Sequence, residues 1–213
     1  EYVLSNAVLE TLEGLVDRAE ADHARALVLV GRPGRFSAGF DLGEMTSGVE
    51  QMRALVARGA RWWLRVYGLG MPTVAACTGH ALAGGAITLL SCDVRIGADG
   101  PAKIGLNEVA IGMPLPKFAV ELARERLLKS HFVLATLGTT YDPAGALAAG
   151  YLDRVVPAES VVDEALAEAR RLGELRTGAV ARTKANARQA MIDAVAAGID
   201  DDMATVDAPT PPG

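Results

Sequence analysis

One carboxylate stands alone in an apolar stretch. In Lys103-Ile104-Gly105-Leu106-Asn107-Glu108-Val109-Ala110-Ile111-Gly112-Met113-Pro114-Leu115-Pro116, Glu108 is the only acid. An ionised carboxylate buried without a partner is costly, so such a group is either kept protonated or poised as a base. The plainer reading is a surface Glu capping the next turn. A second stretch, Gly79-His80-Ala81-Leu82-Ala83-Gly84-Gly85-Ala86-Ile87-Thr88-Leu89-Leu90-Ser91-Cys92-Asp93, reads as a Gly turn opening a buried helix. A helix start offers unpaired N–H groups and positive dipole charge, and Gly84 and Gly85 let a ligand approach that backbone. The third stretch runs from Arg35 to Met45. Gly39 lies among small residues there, and Asp41 with Glu44 forms an N-cap pattern with a weak capping box. If the two junctions meet, each can aim one backbone N–H at one carbonyl oxygen, which is an oxyanion hole.

Two other chemistries fit these residues less well. A dinucleotide fingerprint needs a middle glycine, and Ala81 takes that place in Gly79-x-Ala81-x-x-Gly84. A serine-hydrolase elbow needs Gly two residues before Ser37, and Arg35 stands there.

The elements that must position these groups alternate between helix and strand. Asn6 to Ala21 is an amphipathic helix, with Val8, Leu9, Leu12, Leu15, Val16 and Ala19 at three- and four-residue steps. Arg25 to Val30 is a buried strand, broken by Gly31-Arg32-Pro33-Gly34. Gln51 to Tyr67 is a helix whose arginines, Arg53, Arg58, Arg61 and Arg65, read as a solvated face. Pro72 to Cys77 is the strand feeding the Gly turn, and Val94 to Gly97 is another. Phe118 to Leu128, Phe132 to Leu137 and Ala144 to Ala149 are helical, the last stopped by Gly150. Tyr151 to Val156 is extended; Ser160 to Leu172 and Thr177 to Ala197 are long helices. The Pro-rich end, 208–213, is expected to be disordered. The pattern is α/β, divided into a core over 1–157, a helical region over 158–207 and the tail.

The chain has 213 residues, half of them hydrophobic, with a formal net charge of −5 and well-mixed charges. No basic block points to nucleic acid, no apolar run is long enough for a membrane span, and the first residues do not resemble a signal peptide. Cys77 and Cys92 sit in apolar runs and read as buried, reduced thiols of a cytoplasmic protein. The three histidines have no ligand spacing, so no metal site is expected.

Taken together and in order, several motifs resemble the crotonase family of enoyl-CoA hydratases and isomerases. They are Phe36-Ser37-Ala38-Gly39-Phe40-Asp41-Leu42, Gly79 to Gly85, Cys92-Asp93, Gly105-Leu106-Asn107-Glu108, Ile111-Gly112, and Asp142-Pro143-Ala144-x-Ala146-x-x-x-Gly150-Tyr151-x-Asp153-x-Val155-Val156-Pro157. The resemblance runs from about Asn6 to Pro157; the family's opening β-hairpin has no counterpart before Asn6. It implies a spiral of ββα repeats, a C-terminal helical region making the contacts of a homotrimer or dimer of trimers, and an acyl-CoA thioester substrate with no cofactor beyond the coenzyme A of that substrate. It implies backbone donors at Ser37 and Gly84, and a substrate wall from Ser37, Ala38, Gly39, Phe40, Asp41 and Leu42 together with Gly85 and Ile87. Hydratases of the family hold water between two Glu side chains. Here the first of those positions falls on Ile87, and only the second, Glu108, is acidic. A non-acidic partner resembles the family's Δ3,Δ2-enoyl-CoA isomerases, in which one Glu moves a proton from C2 to C4. Val109, Ile111 and Met113 are expected to raise the pKa of that Glu. A hydratase drawing its second acid from elsewhere, such as Asp99, and an inactive acyl-CoA binder are the alternatives. Arg53, Arg61 and Lys184 are candidates for the coenzyme A phosphates.

Overall fold

A computed structural model describes residues 3–206; the expectation for 208–213 lies outside the described residues. The chain winds through repeated turns of two strands and a helix. Helix α1 (Asn6–Ala21) precedes β1 (Leu27–Val30), β2 (Gly34–Ser37), α2 (Leu42–Met45) and α3 (Val49–Gly68). The next turn is β3 (Thr73–Cys77), β4 (Gly79–Leu82) and α4 (Gly84–Ser91). The third is β5 (Val94–Ala98), β6 (Ile104–Gly105) and α5 (Lys117–Arg126). Then come α6 (Lys129–Thr136), α7 (Pro143–Ala149), β7 (Arg154–Val156), α8 (Val161–Gly173), α9 (Thr177–Ala196) and α10 (Ile199–Ala204). First strands of successive turns stack as one parallel sheet, β1-β3-β5-β7, and second strands as another, β2-β4-β6. This is the spiral of ββα repeats that the motifs implied.

The long elements follow the sequence closely. Helix α1 begins and ends at the expected residues, with Ser5 accepting the Val8 N–H as its cap. Strand β1 starts two residues later than its apolar run, because the Arg25 side chain is drawn instead to the carbonyls of Gly173 and Leu175. The second sheet is not visible as periodicity. Its strands are two to four residues long and contain Gly, His and Ser, too little for alternation to register. Helix α10 has no clear sequence pattern either, because a run of three aspartates hides Ile199 and Met203, which are buried.

The core fills the space around α4, whose eight residues are all buried. A helix apolar on every side must be enclosed. Against it lie α3, with Trp62, Trp63 and Val66 buried, and α5, with Phe118 and Leu122 buried. Trp63 stacks on Phe118 at 5.5 Å between ring centroids and meets Phe40 edge-on at 5.4 Å. A separate cluster seats α8 on the first sheet through Val161, Ala165 and Ala169 against Val74, Ala76 and Ile96.

Ion pairs tie the later helices to this core. The Asp93 carboxylate, just past α4, accepts from the Thr73 N–H, Lys184 Nζ and Arg188. Lys184 also donates to the Met71 carbonyl, which fixes α9 beside β3. The paired cations hold the Asp93 carboxyl below its ordinary range even though burial opposes this. Arg95, almost fully buried, pairs with Asp153 in the same way. Among the arginines of α3, Arg58 pairs with Glu13, Arg65 with Asp17 and Glu20, and Arg61 with Asp200, while Arg53 donates to the Val206 carbonyl. The face read as solvated is therefore tied to α1 and to the C-terminal residues. Cys77 and Cys92 are free and buried, and burial pushes both thiols up to about 12.

Candidate active site

The two junctions meet. Strands β2 and β4 run in parallel, with Gly34 opposite Gly79 and Ser37 opposite Ala81. A Cβ built on Gly39 would lie 3.1 Å from the Gly84 nitrogen, and one on Gly84 would lie 3.2 Å from Gly39 Cα. A Cβ on Gly85 would lie 2.2 Å from the Ser37 carbonyl oxygen. Only glycine permits this approach of backbone to backbone.

Helix α4 starts without a side-chain cap. Ala83, just before it, has φ 48° and ψ −121°, a conformation that L-residues rarely adopt. Two bonds hold it there: the Ala83 N–H donates to the Gly105 carbonyl, and the Ala83 carbonyl accepts the Ile87 N–H. At the other junction, Asp41 caps α2 by accepting the Glu44 N–H at 3.0 Å. The capping box does not close. The Glu44 carboxylate turns instead to the backbone N–H and side-chain amide of Asn6, joining α2 to the start of α1.

A cavity of about 400 Å³ opens at this meeting point. Ala38, Phe40 and Leu42 line it from the first junction, Ala83, Gly84 and Ile87 from the second. Glu108, Ile111, Met113 and Pro114 close it from the segment after β6, and Phe118 from α5. Met45, Thr46, Val56 and Pro116 line the rest of it; of these only Val56 belongs to an apolar stripe in the sequence. Ser37 is not in this wall. Its hydroxyl accepts the Gly39 N–H, and the residue borders a separate apolar cleft between α1 and β1, so Ala38 takes the cavity side.

Glu108 is the only ionisable side chain among the described residues of the wall, and it is 7% exposed. It does not cap the turn that follows. Its Oε2 is buried without a hydrogen-bond partner. Burial raises its carboxyl from 4.5 to about 7, opposed only by its own backbone N–H. Ile111 and Met113 line the cavity as expected, although Ile111 is also exposed, whereas Val109 does not line it.

Other candidates lie elsewhere. Asp99 is exposed and accepts the Gly100 N–H. Arg53, Arg61 and Lys184 do not line the cavity and are engaged by the contacts described above. No helix of the described residues is long and apolar enough to cross a membrane.

A spiral of ββα turns is the crotonase fold, and here two of its strand-to-helix junctions and one buried carboxylate line a single cavity. The chain belongs to the enoyl-CoA hydratase/isomerase family, whose model matches residues 3–210. Human mitochondrial enoyl-CoA delta isomerase 1 is 37% identical over 178 residues, covering 74% of this chain and 55% of that protein. A probable enoyl-CoA hydratase of Mycobacterium bovis is 31% identical over 175 residues, covering 82% of this chain and 67% of that protein. This chain spans about half the length of the mammalian isomerases it matches. Among solved structures, an enoyl-CoA hydratase/isomerase family protein from Pseudomonas syringae superposes with TM-score 0.93 at 41% identity, covering 96% of this chain and 89% of that one. Human mitochondrial Δ3-Δ2-enoyl-CoA isomerase superposes with TM-score 0.89 at 32% identity, covering 95% of this chain and 81% of that one.

Proposed function

We propose that this chain carries the active site of an enoyl-CoA isomerase, which moves the double bond of a 3-enoyl thioester to the 2-position. The observation that carries this reading is Glu108 as the one ionisable side chain among the described residues of a mostly apolar cavity, with Ile87 on the α4 side. Hydration needs one group to activate water and another to deliver a proton, and a proton-transfer group is worth about 10²–10⁴-fold. Isomerisation needs only one. The Glu108 carboxylate removes a proton from C2, the thioester becomes an enolate, and the same group returns the proton at C4.

The enolate oxygen is where negative charge gathers, and the start of α4 is built to receive it. One donor is the Gly84 N–H. The other comes from the end of β2, at Ser37 or at Ala38, which is the residue in the wall. Loss of one such donor typically costs ~2.7–4 kcal/mol of barrier. Burial among apolar residues leaves the carboxylate poorly solvated, which strengthens it as a base.

Coenzyme A enters as part of the substrate, and fatty acyl thioesters suit the apolar end of the cavity. Assembly as a trimer fits the exposed apolar surface of α6 and its flanks, formed by Leu128, Val133, Leu134 and Leu137. Incubating the protein separately with a 3-enoyl-CoA and a 2-enoyl-CoA tests the reading. Conversion of the first, lost in Glu108→Gln, is expected. Rapid hydration of the second, unaffected by Glu108→Gln, would replace the isomerase with a hydratase. Tight binding without turnover of either would leave an acyl-CoA binder.

A further inference from the structure

We propose that Trp63 and Thr88 form a positioning pair that holds the Gly84 backbone donor in place; the proposal rests on the oxyanion role given to Gly84 above. The Trp63 indole N–H donates to Thr88 Oγ1 at 2.9 Å, and that hydroxyl donates to the Gly84 carbonyl at 2.8 Å. Both side chains are buried, Trp63 completely. A threonine bonding back to the carbonyl four residues earlier is common in helices. Here the indole occupies the acceptor side of the hydroxyl, so its hydrogen is committed to Gly84.

The same indole also blocks Gly84 from the side. A Cβ on Gly84 would lie 2.9 Å from Trp63 Cζ2 and 3.1 Å from Cη2. The ring cannot retreat, because it stacks on Phe118 and abuts Phe40, which lines the cavity. Gly84 is therefore held at its carbonyl by Thr88 and at its Cα by the indole. Its preceding residue, Ala83, is held at its N–H by the Gly105 carbonyl. Ala83 has a positive φ that persists only where the surroundings over-determine it. A donor aimed at developing charge acts only if it does not reorganise during the reaction. The pair supplies that rigidity from α3, whose Val56 also lines the apolar end of the cavity.

The experiment compares wild type with Thr88→Val, which keeps shape and removes the hydroxyl, and with Thr88→Ser, which restores it. The probe is saturated hexanoyl-CoA labelled with ¹³C at the carbonyl, bound and read by infrared difference spectroscopy. A thioester carbonyl polarised by two fixed donors absorbs at lower frequency than in solution. The expected result is a shift in wild type that falls by about half or more in Thr88→Val and returns in Thr88→Ser. Turnover of 3-enoyl-CoA is expected to show kcat down about tenfold, less than loss of a whole donor, with KM changed little. Trp63→Phe, which deletes the N–H, is expected to act in the same direction and serves if Thr88→Val does not fold. An unchanged carbonyl shift and kcat in folded Thr88→Val would overturn the proposal and leave the pair as packing. Absence of any shift in wild type would instead overturn the oxyanion role of Gly84.

Discussion

Replacing Glu108 by Gln is expected to stabilise the protein while removing its activity, and the gain depends on pH. Burial raises the carboxyl from 4.5 to about 7, and no partner charge offsets this. Between about pH 4.5 and 7 the folded protein keeps a proton that the unfolded chain has lost. Glu108 is therefore neutral and harmless below that window. Stability falls as pH rises through it, then levels off once both states are ionised. At about pH 8 the ionised side chain costs the fold about 3 kcal/mol. Glu108→Gln has no charge to bury, so it should exceed wild type by up to that amount at about pH 8 and match it within ~1 kcal/mol near pH 4.5. For a chain of this size the difference corresponds to roughly 6–12 °C in Tm. Urea unfolding followed by the fluorescence of buried Trp62 and Trp63, at several pH values for both proteins, measures it. Subtracting the two profiles cancels the contributions of Asp93 and Asp153. Those carboxyls are held below their ordinary range and stabilise the fold as pH rises. An offset between the two proteins that is constant across pH would show that Glu108 is not held up by burial, and the argument for a desolvated base would fail.

Further outcomes follow from the same contacts. Gly85→Ala would place a methyl 2.2 Å from the Ser37 carbonyl oxygen, and backbone cannot yield cheaply; it should lose both thermal stability and acyl-CoA binding, measured by melting and titration calorimetry. Gly84→Ala meets the braced ring of Trp63 at 2.9 Å and the Gly39 backbone at 3.2 Å, so a lower melting temperature together with weakened turnover is expected by circular dichroism and turnover assay. Asp93→Ala leaves Lys184 and Arg188 without their shared carboxylate and should cost about 3–5 kcal/mol in urea unfolding. The profile of kcat/KM against pH should rise with an apparent pKa near 7 as Glu108 ionises, and a flat profile from about pH 5 to 9 would count against it as the base.

What could be read from the sequence was set by length and by local chemistry. Long helices such as α1 and α3 carry enough turns for their apolar stripes to register, and the Gly150 stop and Asp41 cap act within a few residues. The second sheet escaped notice because its strands pair across turns of the spiral and are too short for a pattern. Glu108 stood out as a lone charge among apolar residues, but its separation from Val109 did not, since facing depends on how the turn after β6 is wound. The contact between Gly39 and Gly84 joins residues 45 positions apart, and spacing alone cannot bring them together. Trp63 looked like one more apolar residue on α3; its bond to Thr88 exists only once α3 and α4 are packed.

In the proposed reaction one carboxylate carries the proton from C2 to C4. Turnover of a 3-enoyl-CoA bearing deuterium at C2, with the 2-enoyl product analysed by NMR, tests it directly. Deuterium delivered to C4 by wild type, and no conversion by Glu108→Gln, is the expected result. Conversion that survives Glu108→Gln, with solvent hydrogen alone at C4, would contradict it.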